Sequence, residues 1–150
     1  MRDFMQDNTE QTEQTKPTTD DAYSENVYFV NQLYRDFLLP TILGEDNASI
    51  LYWAGKRLAR HYDLASLEDL SDFFNHAQFG HIELIKQRRA SASFELTGQT
   101  VLDRMNSGSA EFALEAGMIA ETLQRESGRT TECEIAVLDK EQKVQFTARF

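Results

Sequence analysis

At Gly80 the apolar residues change spacing from the helical period of about 3.6 to the strand period of 2, and that break orders the whole chain. Upstream, Val27, Val30, Leu33, Tyr34, Phe37 and Leu38 mark one helix face between Glu25 and Leu39, with Pro40 and Gly44 as its end. Asp46 or Asn47 can cap a second helix that turns Ile50, Leu51, Ala54, Leu58 and Tyr62 inward. Ser66 opens a third, with Glu68 and Asp69 in its first turn and Leu67, Leu70, Phe73 and Phe74 as its stripe. Downstream, Ile82 and Leu84 alternate with Glu83, and Phe94 and Leu96 flank Glu95. The polar stretch Gln87 to Ala90 joins these two strands into a hairpin, and Gly98 closes the second. Gln99 to Asn106 reads as a short helix and Ser107 to Ser109 as a loop. A longer helix runs from Phe112 to Ser127, with Gly128 placed to end it. A second hairpin follows, Cys133 to Leu138 and Lys143 to Phe150, turning at Asp139 to Gln142. The expectation is an α+β fold: a four-stranded antiparallel sheet of two hairpins, covered on one face by about five helices.

Residues 1–24 differ in kind. Thr, Gln, Asn and Asp dominate, and six acids face two bases. Such a stretch buries too little apolar surface to offset its ordering entropy, so it is expected to be a disordered acidic tail. Residues 25–150 then form one domain. With no secretory signal pattern and a single cysteine, Cys133, the expected compartment is the cytoplasm. One cysteine also excludes an internal disulfide or a cysteine-built zinc site. A net charge of -10 argues against a nucleic-acid surface, and no apolar run reaches the length of a membrane span.

Chemical motifs are sparse. Phosphate-binding glycine loops and a serine hydrolase elbow are absent. His76 and His81 stand five apart across a break, which is not the offset of a helical metal pair. Cys133 sits between Glu132 and Glu134, where a thiolate is disfavoured, and shares a strand face with Ile135 and Val137. Trp53, Lys56, Arg57 and Arg60 fall on one side of the second helix, with Trp53 placed for a cation–π stack. They make either a cationic pocket or partner contact, or a solvated face paired with acids. In LEAGMIAETL, Ala113, Ala116, Gly117 and Ala120 form a small-residue strip. Glycine within a helix costs about 0.5–1 kcal/mol relative to alanine, so a close approach of another backbone is expected there. Glu115 lies beside the strip. If buried it needs a partner, for which Lys56, Arg57 and Arg60 are candidates.

Three segments together carry a resemblance: LPTILGEDNASILYWAGKRLAR (Leu39–Arg60), FGHIELIKQRRASASFELTGQTVLDR (Phe79–Arg104) and FALEAGMIAETLQRESGR (Phe112–Arg129). They resemble the YslB-like family of small bacterial proteins of unknown function, over about Glu25 to Phe150. That family is similar in turn to four-vinyl-reductase-type sensor domains and to subunits of the transport protein particle (TRAPP) complex. The resemblance implies helices packed on an antiparallel sheet, often dimeric, several with an apolar tunnel for a small molecule or acyl chain. The several cysteines of the sensor domains are missing, and so is the acyl-linked cysteine that the trafficking relatives can carry in their early helices. Neither a metal-dependent role nor acylation is therefore expected.

Three functional classes are open. The first is a non-catalytic, sensor-like domain that holds a small apolar or amphipathic ligand, with Trp53, Lys56, Arg57, Arg60, Glu115 and Gly117 as candidate binding residues and no cofactor. The second is a dimeric interaction scaffold without ligand. The third, ranked last, is an enzyme using Glu115, because no nucleophile–base pair is legible. A homodimer through the N-terminal helices is expected, since the first helix carries apolar residues on two sides.

Overall fold

The structure, a computed structural model, describes residues 26–150. The expected tail at 1–24 lies outside them. Five helical runs and four strands follow in the anticipated order. Helix α1 spans residues 26–43, α2 Asn47–His61, α3 Leu67–His76, α4 Gln99–Asn106 and α5 Ala113–Ser127. The strands are β1 His81–Gln87, β2 Ser91–Thr97, β3 Glu132–Leu138 and β4 Lys143–Arg149.

Pro40 does not end α1. The middle of the helix, Gln32–Leu38, is π-wound, and the Leu39 N–H reaches the Tyr34 carbonyl. The ladder restarts at Leu39, which puts Pro40 in the first turn of the α-helical segment Leu39–Leu43, where its missing N–H does no harm. Gly44, at φ +57°, makes the break. Ser66 caps α3 as expected: its hydroxyl accepts from the Asp69 N–H at 3.2 Å, and the Asp69 carboxylate accepts from Ala65 N–H at 3.1 Å. Gly128 ends α5 in the left-handed conformation.

The sheet order is β1-β2-β4-β3, antiparallel throughout. Ala92, Phe94 and Leu96 pair with Ala148, Phe146 and Val144, and all six are buried on the helix side. Ser93, Glu95, Gln145 and Thr147 alternate onto the other face. In β1 the register slips between Leu84 and Lys86, leaving Ile85 as an exposed bulge. Ile135, expected on the apolar face, is exposed because β3 is an outermost strand. Helix α5 lies on β3 and β4, α3 on β1, and α4 on β2 and β4, while α2 lies over α5. Phe74, Phe94, Phe112, Phe146 and Ile119 are fully buried, each stabilising by about 1.5–3 kcal/mol relative to exposure.

Two helix faces depart from the expected pattern. Helix α2 buries Leu51, Gly55 and Ala59, while Ala54 and Leu58 are half-buried and Ile50 and Tyr62 are exposed. The helix is turned so that its smallest residues meet α5. In α1 the side chain buried is Arg35, whereas Phe29, Val30, Leu33, Tyr34, Phe37 and Leu38 are exposed, Phe37 at 64%. Among the described residues no helix is long and apolar enough to cross a membrane.

Candidate functional site

The small-residue strip does what its composition demands. A Cβ on Gly117 would overlap the Tyr52 carbonyl oxygen and stand 3.1 Å from the Lys56 nitrogen. Gly55 is its counterpart on α2, where a Cβ would overlap the Leu114 carbonyl oxygen and stand 3.0 Å from the Met118 nitrogen. Each glycine thus admits the other helix's backbone, and Ala113, Ala116 and Ala120 are buried beside the crossing. Gly117 is spent on this crossing and faces no ligand-sized space. The one sequence signal for Gly55 is the four-residue recurrence of Leu51, Gly55 and Ala59, the spacing of a close-packed face.

The other five candidate residues disperse. Arg57 stacks over Trp53 at 5.1 Å, and both line an open depression on the outer side of α2 with Ala54, Leu58 and His61. Lys56 donates to Glu132 of β3 at 2.9 and 3.1 Å. Arg60 pairs with Glu121 at 3.3 Å. Lys56 and Arg60 therefore fasten α2 to β3 and α5, while Arg57 stays on its outer side. None of them reaches Glu115, which corrects the pairing expected from sequence.

Glu115, 1% exposed, has two other partners, Arg35 and Arg104. Arg35 Nη2 donates to Glu115 Oε1 at 2.6 Å and to Glu111 Oε2 at 2.9 Å. Arg104, 2% exposed, donates through Nη2 to Asp36 Oδ1 at 3.0 Å and to the Glu111 carbonyl at 2.6 Å. Its Nη1 lies 3.6 Å from Glu115 Oε2. The Ser109 hydroxyl bridges by donating to Asp36 Oδ1 at 2.7 Å, and Glu111 Oε1 accepts from the Ala113 N–H at 2.7 Å at the start of α5. Burial by itself would lower the pKa of Arg35. The charges of Glu115 and Glu111 and their hydrogen bonds outweigh it and hold the guanidinium protonated. Three acids and two arginines thus tie α1, α4 and α5 together away from water. Arg35, Asp36, Arg104 and Glu111 were not anticipated. In one dimension they look like surface charges, because their partners lie as far as 80 positions away.

A second polar junction joins α2 to β3. The Tyr52 hydroxyl donates to Glu132 and accepts from the Cys133 N–H at 3.0 Å. Burial first, and the acids Glu134 and Glu132 second, push the Cys133 thiol up to about 12. Iodoacetamide at pH 8 is therefore expected to alkylate Cys133 at least about a hundredfold more slowly in the folded protein than in urea, because the thiolate is the reactive form. Equal rates in the two states, followed by mass spectrometry, would remove the burial argument.

An apolar-walled space able to hold a small molecule lies elsewhere, between α3, the C-terminal half of α5 and the sheet. This pocket has a volume of about 260 Å³. Leu67, Leu84, Ala92, Phe94, Leu123 and Phe150 make its walls. Gln87, Glu126, Ser127 and Arg129 form an exposed polar rim. Arg129 lies over the Phe150 ring at 4.5 Å. The walls come from elements far apart in sequence, so only Leu67, Leu84, Phe94 and Leu123, in phase along the last helix, carry a signal, as apolar-face residues.

Similarity to known proteins bears on the fold and the family. A family described as "Protein of unknown function (DUF2507)" matches residues 28–149. The uncharacterized protein YslB of Bacillus subtilis (strain 168) is 34% identical over 123 residues, covering 81% of this chain and 83% of that protein. Among solved structures, a vinyl-4-reductase family protein from Methanocaldococcus jannaschii superposes with a TM-score of 0.57 at 12% identity, over 89% of this chain and 98% of that one. The phenol-responsive sensory domain of the transcription activator PoxR, solved with phenol, gives 0.55 at 12% identity, over 82% and 73%. A trafficking protein particle complex subunit 3 from Naegleria fowleri, covalently bound to palmitic acid, gives 0.46 at 12% identity, over 84% and 95%. At such identities the likeness is one of fold.

Proposed function

From the premise that this chain belongs to the DUF2507 family of proteins of unknown function, we propose that it is a non-catalytic, sensor-like domain that binds a small apolar or amphipathic molecule. The pocket between α3, α5 and the sheet carries this reading: it is concave, apolar-walled and polar at one rim. Its volume of about 260 Å³ suits a compound of about a dozen heavy atoms and is below the usual range for drug-sized ligands. The fold shared with a sensory domain solved with phenol supports the same class of ligand by analogy. Glu115, the carboxylate an enzymatic reading would use, lies outside this pocket and is spent on Arg35 and Arg104, which supports a binding role over a catalytic one. Native mass spectrometry of the protein as purified is expected to show a retained small molecule, and Leu123→Trp, which fills the pocket, is expected to release it. A protein of bare mass that also takes up no small aromatic compound at millimolar concentration would overturn the reading.

A second reading, compatible with the first, is association of two copies through α1. The exposure of Phe29, Leu33, Tyr34, Phe37 and Ile42 along one helix favours it. A second copy would cover that face with a self-complementary surface. Sedimentation at micromolar concentration is expected to show a dimer. Phe37→Asp is expected to weaken it by a factor of about a hundred or more, as loss of a buried aromatic anchor does, while leaving thermal unfolding of the monomer unchanged. A wild-type monomer under these conditions would rule this reading out.

A further inference from the structure

The pocket's rim carries a charge pattern that its walls do not explain. The chain is acidic, at -10, yet Lys86, Arg88 and Arg89 crowd the β1–β2 connection beside rim residue Gln87. Arg129 joins them from the opposite side: its Nη1 donates to the Arg89 carbonyl at 3.3 Å. Stacking on Phe150, a pocket wall, holds the Arg129 guanidinium at the mouth. Among the described residues none of these four cations pairs with a carboxylate, Glu126 on the rim included. Of the other bases, Arg35, Lys56, Arg60 and Arg104 have acidic partners, and Arg57 is stacked on Trp53.

We propose that the pocket is built for an amphipathic anion, whose apolar body lies among Phe94, Leu123 and Phe150 and whose oxyanion end meets Arg129, with Arg89 behind it. This rests on the ligand-binding reading above and adds the ligand's charge to it. An oxyanion suits the position because the planar guanidinium has N–H donors left after its bond to Arg89, and two of them can grip two oxygens side by side. A neutral end group would gain no such grip, and a cationic one would be repelled by the four bases.

The test compares 4-phenylbutanoate with 4-phenylbutanol by calorimetry on the full chain. The pair shares one apolar body and differs in the end group. At low salt the acid is expected to bind about tenfold or more tighter than the alcohol, with the gap narrowing as salt is added. Arg129→Gln is expected to bring the two within about threefold by weakening the acid alone. Lys140→Gln removes the same charge on the β3–β4 turn at the other end of the sheet and is expected to leave the preference intact. Leu123→Trp is expected to abolish both. Equal affinity of acid and alcohol, or a preference that survives Arg129→Gln, overturns the anionic end while the pocket stands. Failure of both compounds to bind overturns the pocket and the anionic end with it.

Discussion

Gly117→Ala is expected to lower the unfolding free energy by about 3 kcal/mol or more, read as a shift of the urea midpoint at unchanged slope. Two effects oppose each other. Alanine in place of glycine favours a helix interior by about 1 kcal/mol. Against that, the new methyl group overlaps the Tyr52 carbonyl oxygen, and a backbone atom in a packed helix has nowhere to go. The steric effect wins because relief requires α2 and α5 to separate along their whole contact. Gly55→Ala is expected to behave alike, for its methyl would overlap the Leu114 carbonyl. The double substitution is expected to lose less than the sum, since either change alone parts the same pair of helices. A neutral or stabilised Gly117→Ala protein would show that the crossing is looser than described.

Arg104→Met is expected to be comparably severe, about 3–5 kcal/mol. The side chain is 2% exposed and supplies donors to Asp36, Ser109 and the Glu111 carbonyl while facing Glu115. Its removal leaves three buried or half-buried acids with Arg35 alone among the described residues. The deficit follows from desolvated charge left without a counterion, so adding salt is expected to repair little of it. A cycle of Arg35→Met and Glu115→Leu separates this from mere loss of packing. Each single change strands a charge, and the double change strands neither, so the coupling is expected at about 1–3 kcal/mol in favour of the double variant. Strict additivity would mean that the 2.6 Å bond between Arg35 and Glu115 carries no energy of its own.

Most of the architecture was legible because local chemistry and the global fold agree. The change of period at Gly80, the Ser66 cap and the Gly128 terminator each act within a few residues, and each stands where expected. Helix α1 was misread because an apolar stripe reports that something must cover it, without saying whether that is the chain's own core. Pro40 was misread because the π-wound turn before it has no local signature. At the sites the boundary is sharper. Gly117 could be assigned a close approach, but its partner Gly55 could not, because the interlock of the two exists only in the folded pair of helices. The partners of Glu115 were out of reach. Arg35, Arg104 and the α2 bases are equivalent as text, and only the fold chooses among them. The cations of the β1–β2 connection read as ordinary hairpin polarity until Arg129 was found on the far side of the same opening.

The interrupted ladder of β1 bears on how the protein behaves when crowded. The margins of an open sheet are templates on which a further chain can stack backbone to backbone and grow toward a fibril. Here one margin is broken at Ile85, and the other is tied to α2, where Lys56 holds Glu132 and the Tyr52 hydroxyl takes the Cys133 N–H. Stacking of the amyloid kind is thereby discouraged at both ends, even though the sheet is only four strands wide and unclosed.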